Sequence, residues 1–387
     1  MTTAFDRPGP TVRQLSAKDD EGNHILSVVA SRTYRILADG GCVPHEEQVP
    51  LVEEPEDDPD DSSILARDSD LHARKPRTDV VVEGHVYGKG RTWVQAGVTV
   101  EGYAYPVLTM GDRRCTVDAG GRPVFSDPEA FDRIPLSWTR AYGGVDAAAE
   151  ERWGNPFAAP FEAQPEAAPV DLDAVSLFRY PRNPAGRGYL VESSRTGLEQ
   201  LELPNLEDPW DRITPDRYAA VQPGYWPLMP PSRSTGWVHY EWFPRCAWFG
   251  IVPPFAPIEG DVVEAHRGYI DPGLLDMPRP TAARVHRAMC GAAPGLQVGH
   301  LEGAEQILLE HIHPSRERFA VRLPGERPGI WTDGRNGEFR ETRPVLQLVL
   351  LEPDEDRVTL VWRGSAPALR PYLPDELETM PLYVGWP

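Results

Sequence analysis

Lysine is nearly absent from this chain. The three that occur are Lys18, Lys75 and Lys89, so arginine carries almost all of the positive charge. Acidic residues outnumber basic ones, 59 against 39, leaving a formal net charge of −20. That balance argues against nucleic acid or an anionic membrane as the main partner, because phosphates require a basic face. Cysteine is scarce too. Cys42, Cys115, Cys246 and Cys290 are widely spaced, with no Cys-x-x-Cys pair, which argues against a disulfide framework and suits free thiols in a reducing compartment. No stretch approaches the roughly 18 apolar residues of a membrane span, and no charged-then-apolar leader opens the chain. A cytoplasmic protein is expected.

Catalytic signatures are missing as well. The chain contains no Gly-x-Ser-x-Gly elbow, phosphate loop or dinucleotide fingerprint. Asn183-Pro-Ala-Gly-Arg-Gly188 has the look of a phosphate loop but lacks the closing Lys-Ser/Thr, and the prolines around it oppose a preceding strand. His311-Ile-His313 places two imidazoles on one face of an extended segment. No third ligand follows at a metal spacing, and Pro314 ends the element. Asp57 to Asp61 lacks the glycine and terminal glutamate of a calcium loop. With so many carboxylates, any chosen acid–base pair is coincidence. The expectation is no enzyme, no metal and no cofactor.

What is present in quantity is punctuation: 42 prolines and 34 glycines. These work against long helices and favour short strands joined by turns. Strand patterns run over His24–Ile36, Asp79–Tyr87, Trp93–Val100, Leu108–Val117, Arg318–Leu323, Val345–Leu351 and Arg357–Trp362. The last two flank Glu352-Pro-Asp-Glu-Asp-Arg357, which predicts a hairpin. Short helices are expected over Pro280–Cys290 and Ser365–Tyr372. The fold class is mainly β with minor α, as loop-rich antiparallel sheets packed into one large unit or two lobes. An N-terminal β-rich lobe would span 1–157, with a disordered acidic insert at 53–61, where like charges and two prolines oppose burial. An Ala/Pro linker-like segment at 158–173 would lead to a loop- and Trp-rich lobe over 174–387 that ends in the β-hairpin.

Three segments of the middle third stand out. They read Pro135-Leu-Ser-Trp-Thr-Arg-Ala-Tyr-Gly-Gly144, Asn183-Pro-Ala-Gly-Arg-Gly-Tyr189 and Leu203-Pro-Asn-Leu-Glu-Asp-Pro209. Glycine and asparagine tolerate positive φ and proline fixes φ, so such strings specify tight loops, where function usually sits. The candidate partner-binding residues are therefore Arg140, Tyr142, Gly143, Gly144, Asn183, Gly186, Arg187, Gly188, Tyr189, Asn205 and Glu207. The arginines would anchor a partner by bidentate hydrogen bonds and the tyrosines by packing. The alternative is that the glycines fix turns and the arginines tie loops to internal carboxylates.

Aromatics concentrate just downstream. Trp210, Trp226, Trp237, Trp242 and Trp248, with Tyr225, Tyr240, Phe243 and Phe249, either fill a core or form an interface or carbohydrate-binding surface. Trp237 and Trp242 join the candidate contact residues.

These segments resemble a family found in type VI secretion accessory proteins of Gram-negative bacteria, domain of unknown function 2169. The resemblance runs through Lys75-Pro-Arg-Thr-Asp-Val-Val-Val-Glu-Gly84, Met110-Gly-Asp-Arg113 and the three loop segments. It continues through Ala293-Pro-Gly-Leu-Gln297, Leu301 to Pro314, Arg322-Leu-Pro324 and Val358-Thr-Leu-Val-Trp-Arg363. The matches keep one order over about 24–363. Where many relatives carry Gly-Thr-Tyr-Asp and then a tryptophan, this chain reads Arg233-Ser-Thr-Gly-Trp-Val-His-Tyr-Glu-Trp242. The resemblance implies a non-catalytic cytoplasmic adaptor or chaperone. It would bind a secreted effector, such as a PAAR-linked toxin, and assist its loading onto the VgrG spike. The rival expectations are a hydrolase or carbohydrate-binding protein using the tryptophans, and a structural component of the secreted particle.

Overall fold

The computed structural model describes residues 11–153, 178–248 and 287–387, apart from 20, 73, 200, 222–227, 244, 334 and 336. Strands dominate, in several separate antiparallel sheets, and the helices are few and short.

The strand His24–Ile36 is the spine of the largest, seven-stranded sheet. Val12–Lys18 pairs along one edge of it (Val12 opposite Ala30), joined lower down by Cys42–Pro44. Arg357–Pro367 lies along its other edge, with Ser27 opposite Ser365. The next strand, Val345–Glu352, forms the expected hairpin with Arg357–Pro367. Its turn is a 3₁₀ segment, Pro353–Glu355, closed by Asp356 in the left-handed region at φ 50°. Thr78–Val82 then joins in parallel, Leu348 opposite Asp79, and Gln297–Val298 closes the edge. All five residues of Thr78–Val82 are buried. A parallel strand covered on both faces reads as an unbroken apolar run, and Val80-Val-Val82 is one.

The five-stranded sheet orders Leu206–Glu207, Tyr103–Met110, Trp93–Val100, Gln306–Glu310 and Arg318–Arg322. Its central hairpin turns on Glu101 and Gly102, both at positive φ. Alternation along Trp93–Val100 sends Val94, Ala96, Val98 and Val100 inward. There they share one core with Val80–Val82, Leu348–Leu351 and Trp362 of the larger sheet. A second core, rich in tyrosine, gathers Tyr142, Tyr180, Tyr189 and Tyr218.

Several expectations need correction. The two-lobe division does not describe the sheets: both draw strands from either side of 158–173, a segment that itself lies outside the described residues. The acidic stretch 53–61 is ordered. Glu56–Asp57 pairs with Leu65–Arg67, the Asp58 amide donates to Ile64 O at 2.9 Å, and Ser69 Oγ donates to Glu53 O at 2.6 Å. Local turn bonds made by Asp58 and Asp61 to following amides order a segment whose net charge argued for disorder. Asp79–Tyr87 is two strands, Thr78–Val82 and His85–Arg91, broken at Glu83-Gly84, where Gly84 stands at φ 157°. Leu108–Val117 likewise splits, since a strand ends at Met110 and Cys115–Val117 pairs separately with Pro123–Phe125. The C-terminal helix is Pro374–Thr379, because the run through Ser365 to Pro367 stays in the sheet beside His24–Ile36. Most of Pro280–Cys290 lies outside the described residues.

Candidate functional site

The three loop segments are one structure. Ser137 opens the first by accepting a hydrogen bond from the Thr139 amide, which winds Trp138–Arg140 into a 3₁₀ turn. Tyr142–Gly143 then pairs in parallel with Arg187–Gly188 of the second segment. Asn183 locks the two together. Its Nδ2 donates to Trp138 O at 2.8 Å and to Tyr142 O at 3.1 Å, while its main-chain oxygen accepts from the Gly144 amide at 2.8 Å.

The glycines follow from this geometry. A Cβ on Gly143 would stand 2.1 Å from Asn183 O, and one on Gly186 would stand 2.7 Å from Ala141 O. Gly144, at φ 103°, combines a left-handed backbone with a carbonyl, Gly186 O, 2.4 Å from where its Cβ would be.

Asn205 ties in the third segment. Its amide donates to Arg140 O at 2.8 Å, and its Nδ2 to Met110 O and to Asp112 Oδ1, each at 3.0 Å. Glu207, fully buried, receives Arg113 Nη2 at 2.5 Å and Arg212 Nε at 3.3 Å. Arg187 Nε donates to Thr139 O at 2.9 Å and its Nη1 to Glu202 at 3.1 Å.

Burial sorts the candidate residues. Tyr142, Gly143, Gly144, Asn183, Gly188, Tyr189, Asn205, Glu207, Trp237 and Trp242 are buried, and only Arg140, Gly186 and Arg187 reach partly to the surface. The expectation that Tyr142 and Tyr189 stack on a partner is corrected: their rings pack on Tyr180, with centroids 5.1 and 5.3 Å away. Trp237 donates Nε1–H to Glu83 at 2.8 Å, and Trp242 packs edge-to-face with Trp138, centroids 5.8 Å apart. Both tryptophans are core. Trp210 is exposed, at 75%, as is Tyr240 in part; Trp226, Tyr225 and Phe249 lie outside the described residues. The charged side chains that the three loops leave at the surface are those of Arg140 and Arg187. Burial, and then the charge of Arg140, lower the Arg187 pKa. Beside them a cleft of about 270 Å³ runs along Gly144, Asp146, Arg187 and Glu202.

A buried ionic knot escapes sequence reading. Lys75 Nζ contacts Asp79 at 2.8 Å, and Arg245 Nη2 contacts Asp68 at 2.6 Å, all four side chains being at most 5% exposed. Burial opposes the Lys75 ammonium, but the carboxylates of Asp79 and Asp68 outweigh it and raise its pKa. One signal was legible, namely a solitary lysine four residues before an aspartate.

The histidine pair does not form a metal face. His311 sits at φ 58°, which breaks the strand alternation, and the buried His313 contacts Asp356 at 3.1 Å. Among the described residues no group of three His, Cys, Asp or Glu could hold a metal, and no helix is long and apolar enough to cross a membrane.

The fold and its loops thus define a mainly β protein with a glycine- and asparagine-locked junction and two arginines at its edge. The chain belongs to the family described as an uncharacterized protein conserved in bacteria (DUF2169), which matches residues 21–363. No curated protein and no solved structure matches the chain.

Proposed function

We propose that this protein is a non-catalytic cytoplasmic adaptor or chaperone for a type VI secretion effector, of the kind linked to a PAAR domain, and that it assists loading onto the VgrG spike. The observation that carries the reading is the ordered run of motifs resembling the secretion accessory proteins, which extends over about 24–363, nearly the whole of the family match. The geometry supports recognition in preference to turnover. Asn183 and Asn205 spend their donors on main-chain oxygens and one neighbouring carboxylate, which builds a rigid frame. Arg140 and Arg187 present their guanidinium groups at the edge of that frame, where a partner's carboxylate can exchange with Asp112 and Glu202. A net charge of −20 suits a basic effector and speeds encounter at low salt.

The test is affinity capture of effectors encoded beside this gene, co-expressed with the wild-type chain or with Arg140→Ala/Arg187→Ala. The wild type should recover an effector and the folded double variant should lose it. A folded wild-type chain that recovers no neighbouring effector sinks the adaptor reading. Retention by both would move the contact away from the arginines.

A further inference from the structure

A second cleft, of about 290 Å³, opens between the ordered acidic ladder and the body of the protein. Asp58, Leu65 and Ala66 form the ladder side; Glu83, Leu136, Trp138, Gly236 and Trp237 form the other. From these walls we infer that the cleft receives an arginine or lysine side chain of a partner polypeptide. This rests on the adaptor reading only for the statement that the partner is a protein.

Three observations carry it. The carboxylates of Asp58 and Glu83 and the apolar side chains of Leu65 and Leu136 line one cleft backed by the buried indoles of Trp138 and Trp237, and that is the chemistry that holds a cation by its charge and its methylene stem together. One carboxylate, Glu83, is fixed in place because its Oε1 accepts Trp237 Nε1 at 2.8 Å.

The Trp138 Nε1–H is buried and has no hydrogen-bond partner, although buried donors are nearly always satisfied. It lies 3.8 Å from the position that a Cβ on Gly236 would take, on the wall of the same cleft. A peptide oxygen following the cationic residue is the kind of acceptor this donor lacks.

The ladder segment that carries Asp58 into the cleft wall is acidic and largely unneutralised. Among the described residues, Glu53 pairs with Arg13 and Asp57 lies 4.0 Å from His239, but Glu54, Glu56, Asp58, Asp60 and Asp61 have no ion-pair partner. Charge complementarity therefore selects a basic occupant over an acidic or neutral one.

The probe is a fluorescein-labelled, capped decapeptide of alternating leucine and arginine, with a glutamate-for-arginine version as control, read by fluorescence anisotropy. The wild type should bind the arginine peptide and not the glutamate one. Two double variants then remove the same charge. Asp58→Asn/Glu83→Gln alters the cleft, and Glu54→Gln/Glu56→Gln alters the outer ladder. The cleft pair should weaken binding about tenfold and the ladder pair less than about twofold. Equal losses would mean a diffuse acidic field and would overturn the cleft, as would wild-type binding of both peptides alike. Circular dichroism establishes that both variants are folded. Captured effector that stays at wild-type yield with the cleft pair overturns the cleft and leaves the adaptor reading intact. A wild-type chain that binds the peptide but captures no effector does the reverse.

Discussion

Arg245 and Asp68 stand 177 positions apart, and Arg245 Nη2 donates to Asp68 Oδ2 at 2.6 Å inside the protein. The same guanidinium donates from Nε to Ala288 O and from Nη1 to Val238 O, at 2.7 and 2.6 Å. One side chain thereby clamps the nearby Val238 to two distant segments, at Asp68 and Ala288. Burial disfavours the Asp68 carboxylate, but the charges of Arg245 and Lys75 outweigh it and lower its pKa.

Breaking that clamp leaves a buried charge and two carbonyls unpaired. Arg245→Met should destabilise the fold by about 3–5 kcal/mol. Adding Asp68→Asn should recover part of the loss, because the orphaned charge disappears with it. Urea unfolding of the single and double variants checks both statements.

His72 makes the fold acid-sensitive. Burial, followed by the Lys75 charge, depresses its pKa to about 3 from 6.5. The unfolded chain therefore takes up a proton that the folded chain refuses, and stability falls as pH drops below 6.5 until about 3. The cost should be about 2 kcal/mol at pH 5. His72→Phe should flatten that part of the profile, seen by comparing unfolding at pH 7 and pH 5. An unchanged slope in the variant would assign the acid sensitivity elsewhere.

Asn183 holds the junction of the loops. Asn183→Ala removes one of the hydrogen bonds at each of the buried oxygens of Trp138 and Tyr142, which keep the Ala141 amide and Ser232 Oγ as donors, and should cost about 1–3 kcal/mol. Gly144→Ala should cost at least as much, since its backbone is left-handed and Gly186 O occupies the Cβ position. Thermal melts of both variants test this. A loss below about 1 kcal/mol in each would mean that the junction relaxes easily.

Glu83 should run the other way. Burial raises its pKa, against the opposing charge of Arg67. A raised carboxyl favours folding in its protonated form, so the ionised group weakens the fold as pH rises through that value. Glu83→Gln keeps an acceptor for Trp237 Nε1 and should raise Tm near pH 7, with the gain shrinking toward pH 4. A lower Tm at pH 7 would contradict this account, and a higher one would mean that stability is given up at this position, as is common where a side chain serves binding.

Much of the β framework was legible because it depends on short-range pattern. His24–Ile36 and Trp93–Val100 have the predicted bounds, since alternation and β-branched content need no distant partner to be read. The hairpin at Pro353 was legible for the same reason. The breaks were not. Glu83-Gly84 divides an apparently continuous strand, and the acidic ladder orders through turn bonds that net charge conceals. At the candidate site the glycines correctly announced unusual backbone, with Gly143, Gly144 and Gly188 at positive φ, whereas Asn183 and Asn205 do not take a positive φ and act through their side chains. Their spacing could not reveal that Asn183 turns inward to bind the first segment.

The sequence by itself determined the strand-rich class, the C-terminal hairpin and the positions where only glycine would fit, because φ limits and side-chain alternation are local properties of the chain. Tertiary structure decided which loops meet, that Tyr142 and Tyr189 are core, and that Arg140 and Arg187 remain at the edge. Those outcomes depend on bonds between residues dozens to hundreds of positions apart, such as Asn183 to Trp138 and Arg245 to Asp68, and chain closure over such distances leaves no periodic trace in the sequence.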